Sequence, residues 1–197
     1  MKAGSRPKAS VQQRRGAAVG GLVLACALAW CVLAVLPTHT FAQASEYELK
    51  AAFLYNFALF TQPAEAASTP VAGEKEPYRI CIFGKDPFGA AGMALAARTI
   101  AGRQIVLKHH AAIDELKQCQ LVFIAESDHE SARRVTSAVS GLPIITVGEF
   151  KDFPAVGAIF NLAVVDEKVA FQVDMQVARR QQLEVSAKLT RLATSVR

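Results

Sequence analysis

Few residues of this chain have the type and spacing to do chemistry. His109 and His110 are adjacent and raise the question of a metal. In a strand, neighbouring side chains point to opposite faces, so the pair does not ligate one ion from that geometry. Asp128-His129-Glu130 gathers three further ligand types, but they fall in the first turn of a helix expected after Ser127. There, acidic residues complement the helix dipole and Glu130 completes a capping box with Ser127. No metal is expected at either place. Gly84-Lys85-Asp86-Pro87-Phe88-Gly89 sets glycines between a strand and a helix, as a phosphate loop does. The Lys-Ser/Thr that should follow is missing. Asp86 as N-cap and Pro87 at the first helical position explain the stretch without a ligand. A Gly-x-Ser-x-Gly elbow is absent, and no His, Ser and Asp fall where strand ends would gather them. No catalytic residue and no cofactor are expected, and the chain does not read as an enzyme.

The cysteines are the remaining reactive groups, and their meaning depends on the compartment. Residues 1–15 are polar and basic, and Ala17 to Leu36 is apolar throughout. Pro37 and small residues follow, with cleavage patterns Thr40-Phe41-Ala42 and Ala42-Gln43-Ala44. This is the layout of a secretory signal peptide over residues 1–44. A run of about 20 apolar residues is also long enough for an uncleaved anchor, but Pro37 and the small-residue sites favour cleavage. The mature chain is expected in the periplasm. Cys26 and Cys31 leave with the leader, and neither sits in a lipoprotein box. Cys81 and Cys119 remain, and an even count in an oxidising compartment reads as one disulfide. Such a bond closes a loop of about 40 residues, worth roughly 4 kcal/mol on the chain-entropy model. Two buried free thiols are the alternative.

The net charge of +5 has the same origin. Lys2, Arg6, Lys8, Arg14 and Arg15 all precede residue 43 with no acidic residue among them, and the rest of the chain is balanced. Composition therefore gives no footprint of a nucleic-acid binder. The mature part, residues 45–197, is about 150 residues, one ordinary domain and too short for two large lobes.

The elements that must position these residues alternate in type. A helix is expected from Ser45 to Phe60, opened by a Ser45/Glu48 capping box. Leu49, Phe53, Phe57 and Phe60 form one apolar row on it, and Tyr47, Ala51, Leu54 and Ala58 a second. A helix apolar on most of its circumference is either sandwiched in a core or completed by a partner. Tyr47, Leu54 and Phe57 are its partner-surface candidates. Gln62 to Pro77 reads as a loop. Strands are expected at Tyr78–Phe83, Gln104–Lys108, Leu121–Ala125 and Ile144–Val147. Between them come helices at Phe88 to Ala97, Ala112 to Leu116 and Ser127 to Ser140. Ala158–Val165 and Lys168–Val173, separated by Asp166-Glu167, read as an antiparallel hairpin. A C-terminal helical region would place Val185, Leu189, Leu192 and Val196 on one face. The fold class is α/β: a mostly parallel sheet flanked by helices on both faces, with an antiparallel edge hairpin and a C-terminal helix.

Ordered blocks of the mature chain resemble the YfiR family of exported proteins. Glu46-Tyr47-Glu48-Leu49-Lys50-Ala51-Ala52-Phe53-Leu54-Tyr55-Asn56-Phe57 is similar to the family's opening. Ile80-Cys81-Ile82-Phe83-Gly84 with Asp86-Pro87-Phe88-Gly89 resembles its cysteine strand and turn, and Gln118 to Ile124 its second cysteine block. Pro143 to Gly148, Val169 to Asp174 and Val185 to Leu189 resemble later segments. The resemblance implies a periplasmic inhibitor that docks on the periplasmic sensor domain of a membrane-bound diguanylate cyclase and lowers cyclic di-GMP. It also implies sequestration by an OmpA-like outer-membrane lipoprotein, a homodimer, and a structural disulfide between Cys81 and Cys119. Three departures stand out. Phe60-Thr61-Gln62-Pro63 replaces the Trp-Pro that often ends the family's first helix. No cysteine follows Cys119, so a second disulfide is absent, and Asp174 stands where the family usually has Asn. The other reading of the residues is a periplasmic small-molecule sensor. Its ligand would sit at the carboxyl ends of the strands, near Gly84–Gly89 and Ala125–Asp128.

Overall fold

The computed structural model describes residues 39–64, 76–109, 111–125 and 130–197. Two compact units divide the chain, Met1–Phe41 and Ala42–Arg197. Most of the expected signal peptide lies outside the described residues. Helix α1, His39–Phe60, leads into a short strand β1, Thr61–Pro63. Then follow β2 Tyr78–Phe83, α2 Ala90–Ala96, β3 Thr99–Ile100, β4 Arg103–Lys108, a 3-10 turn Ile113–Gln118 and β5 Leu121–Ile124. The chain continues through α3 Ala132–Ala138, β6 Ile145–Gly148, α4 Phe153–Val156, β7 Phe160–Val165 and β8 Lys168–Val173. It closes with α5 Met175–Arg180, β9 Leu183–Val185, α6 Ala187–Thr190 and β10 Ser195–Val196.

Among the described residues the main sheet has eight strands in the order β10-β8-β7-β6-β5-β2-β4-β3. The run β4-β2-β5-β6-β7 is parallel, and β7–β8 and β3–β4 are antiparallel. Sheet growth starts at β2, goes one way to β4, then reverses to β5, which puts a topological switch point between β2 and β5. All four residues of β5 are buried, as a central parallel strand covered on both faces requires.

Period-2 alternation sends successive residues to opposite faces. Ile80, Ile82, Leu121, Phe123, Ile145, Val147, Phe160, Leu162 and Phe171 share one core with α1, α2, α5 and α6. Cys81, Val122 and Ile124 share the other with the 3-10 turn, α3 and α4. The expected α/β class, with a mostly parallel sheet between helices, is the observed one. The hairpin β7–β8 turns at Asp166 and Glu167, which take φ of 48° and 61°, the tight left-handed turn whose twist matches paired strands.

Several local expectations are corrected. Helix α1 already runs at His39, so Ser45 lies inside it and the Ser45/Glu48 pair does not open it. Between Thr38 and Ser45 the sequence holds no proline or glycine to stop a helix. Asp86 does not cap α2, which starts at Ala90 behind Gly89. Asp86 Oδ1 instead accepts from Phe88 N at 2.8 Å, closing a turn. The expected Ser127/Glu130 capping box involves Ser127, outside the described residues, and α3 begins after Ser131. Thr61–Pro63, mostly assigned to a loop, pairs antiparallel with β9. The C-terminal region is two short helices and two short strands rather than one continuous helix. Leu183 and Val185 are buried with Glu184 exposed between them, a period of two that helical spacing overlooks. Asp174 ends the hairpin as a true N-cap, accepting from Gln176 N at 2.9 Å and Val177 N at 3.0 Å.

Candidate functional site

The switch point is where an open α/β sheet ordinarily receives a ligand. Here the described side of that crevice is filled by the protein itself. Phe88, buried in the loop after β2, packs edge-on against Phe123 at 4.8 Å and against Tyr47 of α1 at 5.7 Å. Asp86 Oδ2 lies 2.8 Å from His109 Nδ1, which ties the loop after β2 to the end of β4. Residues 126–129, including Asp128 and His129 of the candidate cluster, lie outside the described residues, as does His110. Among the described residues no group of three or more His, Cys, Asp or Glu is placed to hold a metal ion.

A charge cluster that sequence reading missed sits beside Phe88. Lys50 Nζ pairs with Glu46, one helical turn earlier, and with Glu149 Oε1 at 2.7 Å, just beyond the end of β6. The Lys50 side chain is 6 % exposed and that of Glu149 9 %. Lys50 Nζ also lies 4.5 Å from the Tyr47 ring centre. Burial alone would lower the Lys50 pKa, but the hydrogen bonds to Glu149 and Glu46 and the charge of Glu149 outweigh it, and the ammonium is held above its usual range. The only sequence signal for this cluster is a lysine on an otherwise apolar helix face, between Tyr47 and Leu54.

Glu149 is delivered to Lys50 by its neighbours. An added Cβ at Gly148 would meet the Phe150 ring at 2.1 Å, so only glycine lets that ring fold over the end of β6. The buried side chain of Asn161 fixes the same segment from β7, accepting from Phe150 N at 2.6 Å and donating to Phe150 O at 3.0 Å. A second ion pair, Lys108 Nζ to Glu115 Oε1 at 2.7 Å, joins β4 to the 3-10 turn. Lys108 and the Ala112 amide hold the Glu115 carboxyl below its usual pKa. These pairs each consist of one cation and carboxylate acceptors bridging two elements, an arrangement that fastens structure.

The expected site residues separate in this fold. Cys81 and Cys119 are joined as a disulfide, both buried, with Cα atoms 6.0 Å apart. Leu54 and Phe57 are fully buried, and Phe57 stacks on Phe160 with ring centres 4.0 Å apart. They serve the intramolecular core and present no surface to a partner. Tyr47 alone of the three partner-surface candidates is half-buried. Among the residues of α1 from 46 onward, the large apolar side chains most open to solvent are Leu49 and Leu59, with Phe53 and Phe60 half-buried. Phe53 and Phe60, with Phe171 below and Leu189 and Leu192 beyond, line a groove of about 390 Å³.

Compared with known proteins, residues 47–194 match the family model described as DUF4154, YfiR/HmsC-like. No curated protein matches the chain. Among solved structures, a conserved domain protein of Vibrio cholerae aligns with a TM-score of 0.44 at 10 % identity, covering 68 % of this chain and 58 % of its own. An ABC domain from Streptococcus pneumonia, solved in complex with L-Trp, aligns with a TM-score of 0.45 at 9 % identity, covering 72 % of this chain and 60 % of its own. The chain thus spans about three fifths of the length of these two solved proteins.

Proposed function

We propose a function from one premise: the chain belongs to the YfiR/HmsC-like family. Membership points to a periplasmic regulator of diguanylate cyclase signalling. In the specific form proposed, the mature domain is exported behind residues 1–44, touches the periplasmic sensor domain of a membrane-bound diguanylate cyclase, and holds cyclic di-GMP low without catalysing a reaction. The single observation that carries this reading is the family match across residues 47–194, nearly the whole of the second unit. The buried Cys81–Cys119 disulfide suits an oxidising compartment. No described helix is long and apolar enough to cross a membrane. A homodimer and sequestration by an OmpA-like outer-membrane lipoprotein complete the proposal, both drawn from the family resemblance.

Two experiments test it. Deleting the gene is expected to raise cellular cyclic di-GMP, and restoring it in trans to lower the level again. Unchanged levels under several growth conditions would count against inhibition. A pull-down from detergent-solubilised membranes is expected to retain a protein carrying a periplasmic sensor and a cyclase domain. Retention of nothing by folded, oxidised protein would sink the contact model.

A further inference from the structure

Helices α1 and α2 lie side by side and run the same way. Tyr47 meets Phe88, just before α2, with ring centres 5.7 Å apart, and Tyr55 Oη donates to Thr99 O, just beyond α2, at 3.2 Å. Between the helices runs a groove of about 240 Å³ with buried Ala51, Ala91 and Leu95 as its floor. Its walls include Ala52 and Ala94, side chains too small to close it. Leu49 and Met93, 46 % and 71 % exposed, are each next in the chain to a lining residue. The two ends carry opposite charges. Glu48 follows Tyr47 and lines the end where α2 begins. Arg98 lines the end where α2 stops, its guanidinium 3.5 Å from the Tyr55 ring centre. Both residues are exposed, and among the described residues neither forms an ion pair.

We infer that the α1–α2 groove is the face through which two copies of this chain pair, Glu48 of each copy meeting Arg98 of the other across a two-fold axis. Charge complementarity selects a second copy over another partner. A groove with one sign at each end has no net bias toward an acidic or a basic protein. Turned end for end about a two-fold axis, it meets its own complement, and the spacing of the two charges matches itself. The alanine walls, with Leu49 and Met93 beside them, supply the apolar contact between the charged ends. This inference rests on the homodimer in the proposed function and assigns that dimer a surface.

Sedimentation equilibrium of the purified protein over a range of concentrations tests the assignment. The wild type is expected to show a monomer–dimer equilibrium. Glu48→Arg and Arg98→Glu each set two like-charge contacts into the dimer and should weaken it about tenfold or more. Mixed in equal amounts, the two variants should pair with each other about as tightly as the wild type pairs with itself, because Arg at position 48 of one then faces Glu at position 98 of the other. The double variant Glu48→Arg/Arg98→Glu should recover self-association for the same reason. Ala94→Arg, at an exposed position midway along the groove, should also give monomers, with circular dichroism showing the native fold. A wild-type dimer that Ala94→Arg and both charge reversals leave unchanged overturns the proposal, as does a mixture that pairs no better than its components. Either result leaves a homodimer in place with its contact elsewhere. A wild type that stays monomeric throughout overturns the homodimer itself. Cyclic di-GMP control is tested separately by the gene deletion and stands in every case.

Discussion

Lys50 Nζ and Glu149 Oε1 meet at 2.7 Å beneath the surface, joining the first helix to the loop that leaves β6. Desolvating two charges is costly, and the pair persists because Glu46 and the Tyr47 ring add further favourable contacts to the same ammonium. Its weight lies in what happens when one half is removed. Lys50→Met leaves the Glu149 carboxylate buried without its cation, which should cost about 3 kcal/mol in urea denaturation. A loss below about 1 kcal/mol would show that water reaches Glu149 freely. The pH sign follows from the raised pKa. The pair's contribution is fully present below 10.5, the unfolded value, and is lost as pH rises through the higher folded value. On the alkaline side the stability gap between wild type and Lys50→Met should therefore begin to narrow only above 10.5.

Phe57 separates a core role from a partner role on α1. Its ring is fully buried and lies parallel to Phe160, with 2° between the planes. Phe57→Ala should cost about 3–5 kcal/mol, as for other buried aromatic truncations. Leu49→Ser, at a position 46 % exposed, should cost about 0.5 kcal/mol or less. Equal losses at the two positions would mean that the helix is buried on the wrong face.

The Cys81–Cys119 bond closes 38 residues between the second strand and the entrance to the fifth. Cys81→Ala should lose about 2–5 kcal/mol. Alkylation of folded, unreduced protein followed by peptide mapping should leave both positions unmodified, and labelling of either one would rule the bond out.

The core of the fold was legible because its signals are local and repeated. The apolar run Leu121–Ile124 and the hairpin around Asp166-Glu167 each announce a strand and its partner within a few residues. The cysteines were legible through composition and compartment. The outward face of α1 was not. Two apolar rows wind around that helix, and only the positions of the sheet and α6 decide that Leu54 is covered while Leu49 is not. The same holds for Lys50 and Glu149, 99 positions apart in sequence, whose meeting is a property of the topology. Short elements failed for a different reason. Leu183–Val185 has two apolar residues in three, too few to distinguish a strand from the helical spacing around it.

Asn161 gives the sharpest test of how that topology positions Glu149. It is 1 % exposed, accepts from Phe150 N, and donates to Phe150 O and, at 2.9 Å, to Gln172 Oε1. Asn161→Ala removes the side chain that pairs both the amide and the carbonyl of Phe150, and each lost buried bond costs about 1–3 kcal/mol. A total loss of roughly 3 kcal/mol is expected. Phe150 follows Glu149 directly, so freeing it also loosens the carboxylate that Lys50 needs. The two sites should then be coupled. In a double-mutant cycle, Asn161→Ala with Lys50→Met should cost less than the two single losses added together, by about 0.5 kcal/mol or more. Additivity within about 0.3 kcal/mol would mean that Glu149 keeps its place without Asn161. In that case the Phe150 ring over Gly148 alone would hold the loop, and Gly148→Ala, which drives a Cβ into that ring, should be the variant that releases Lys50 instead.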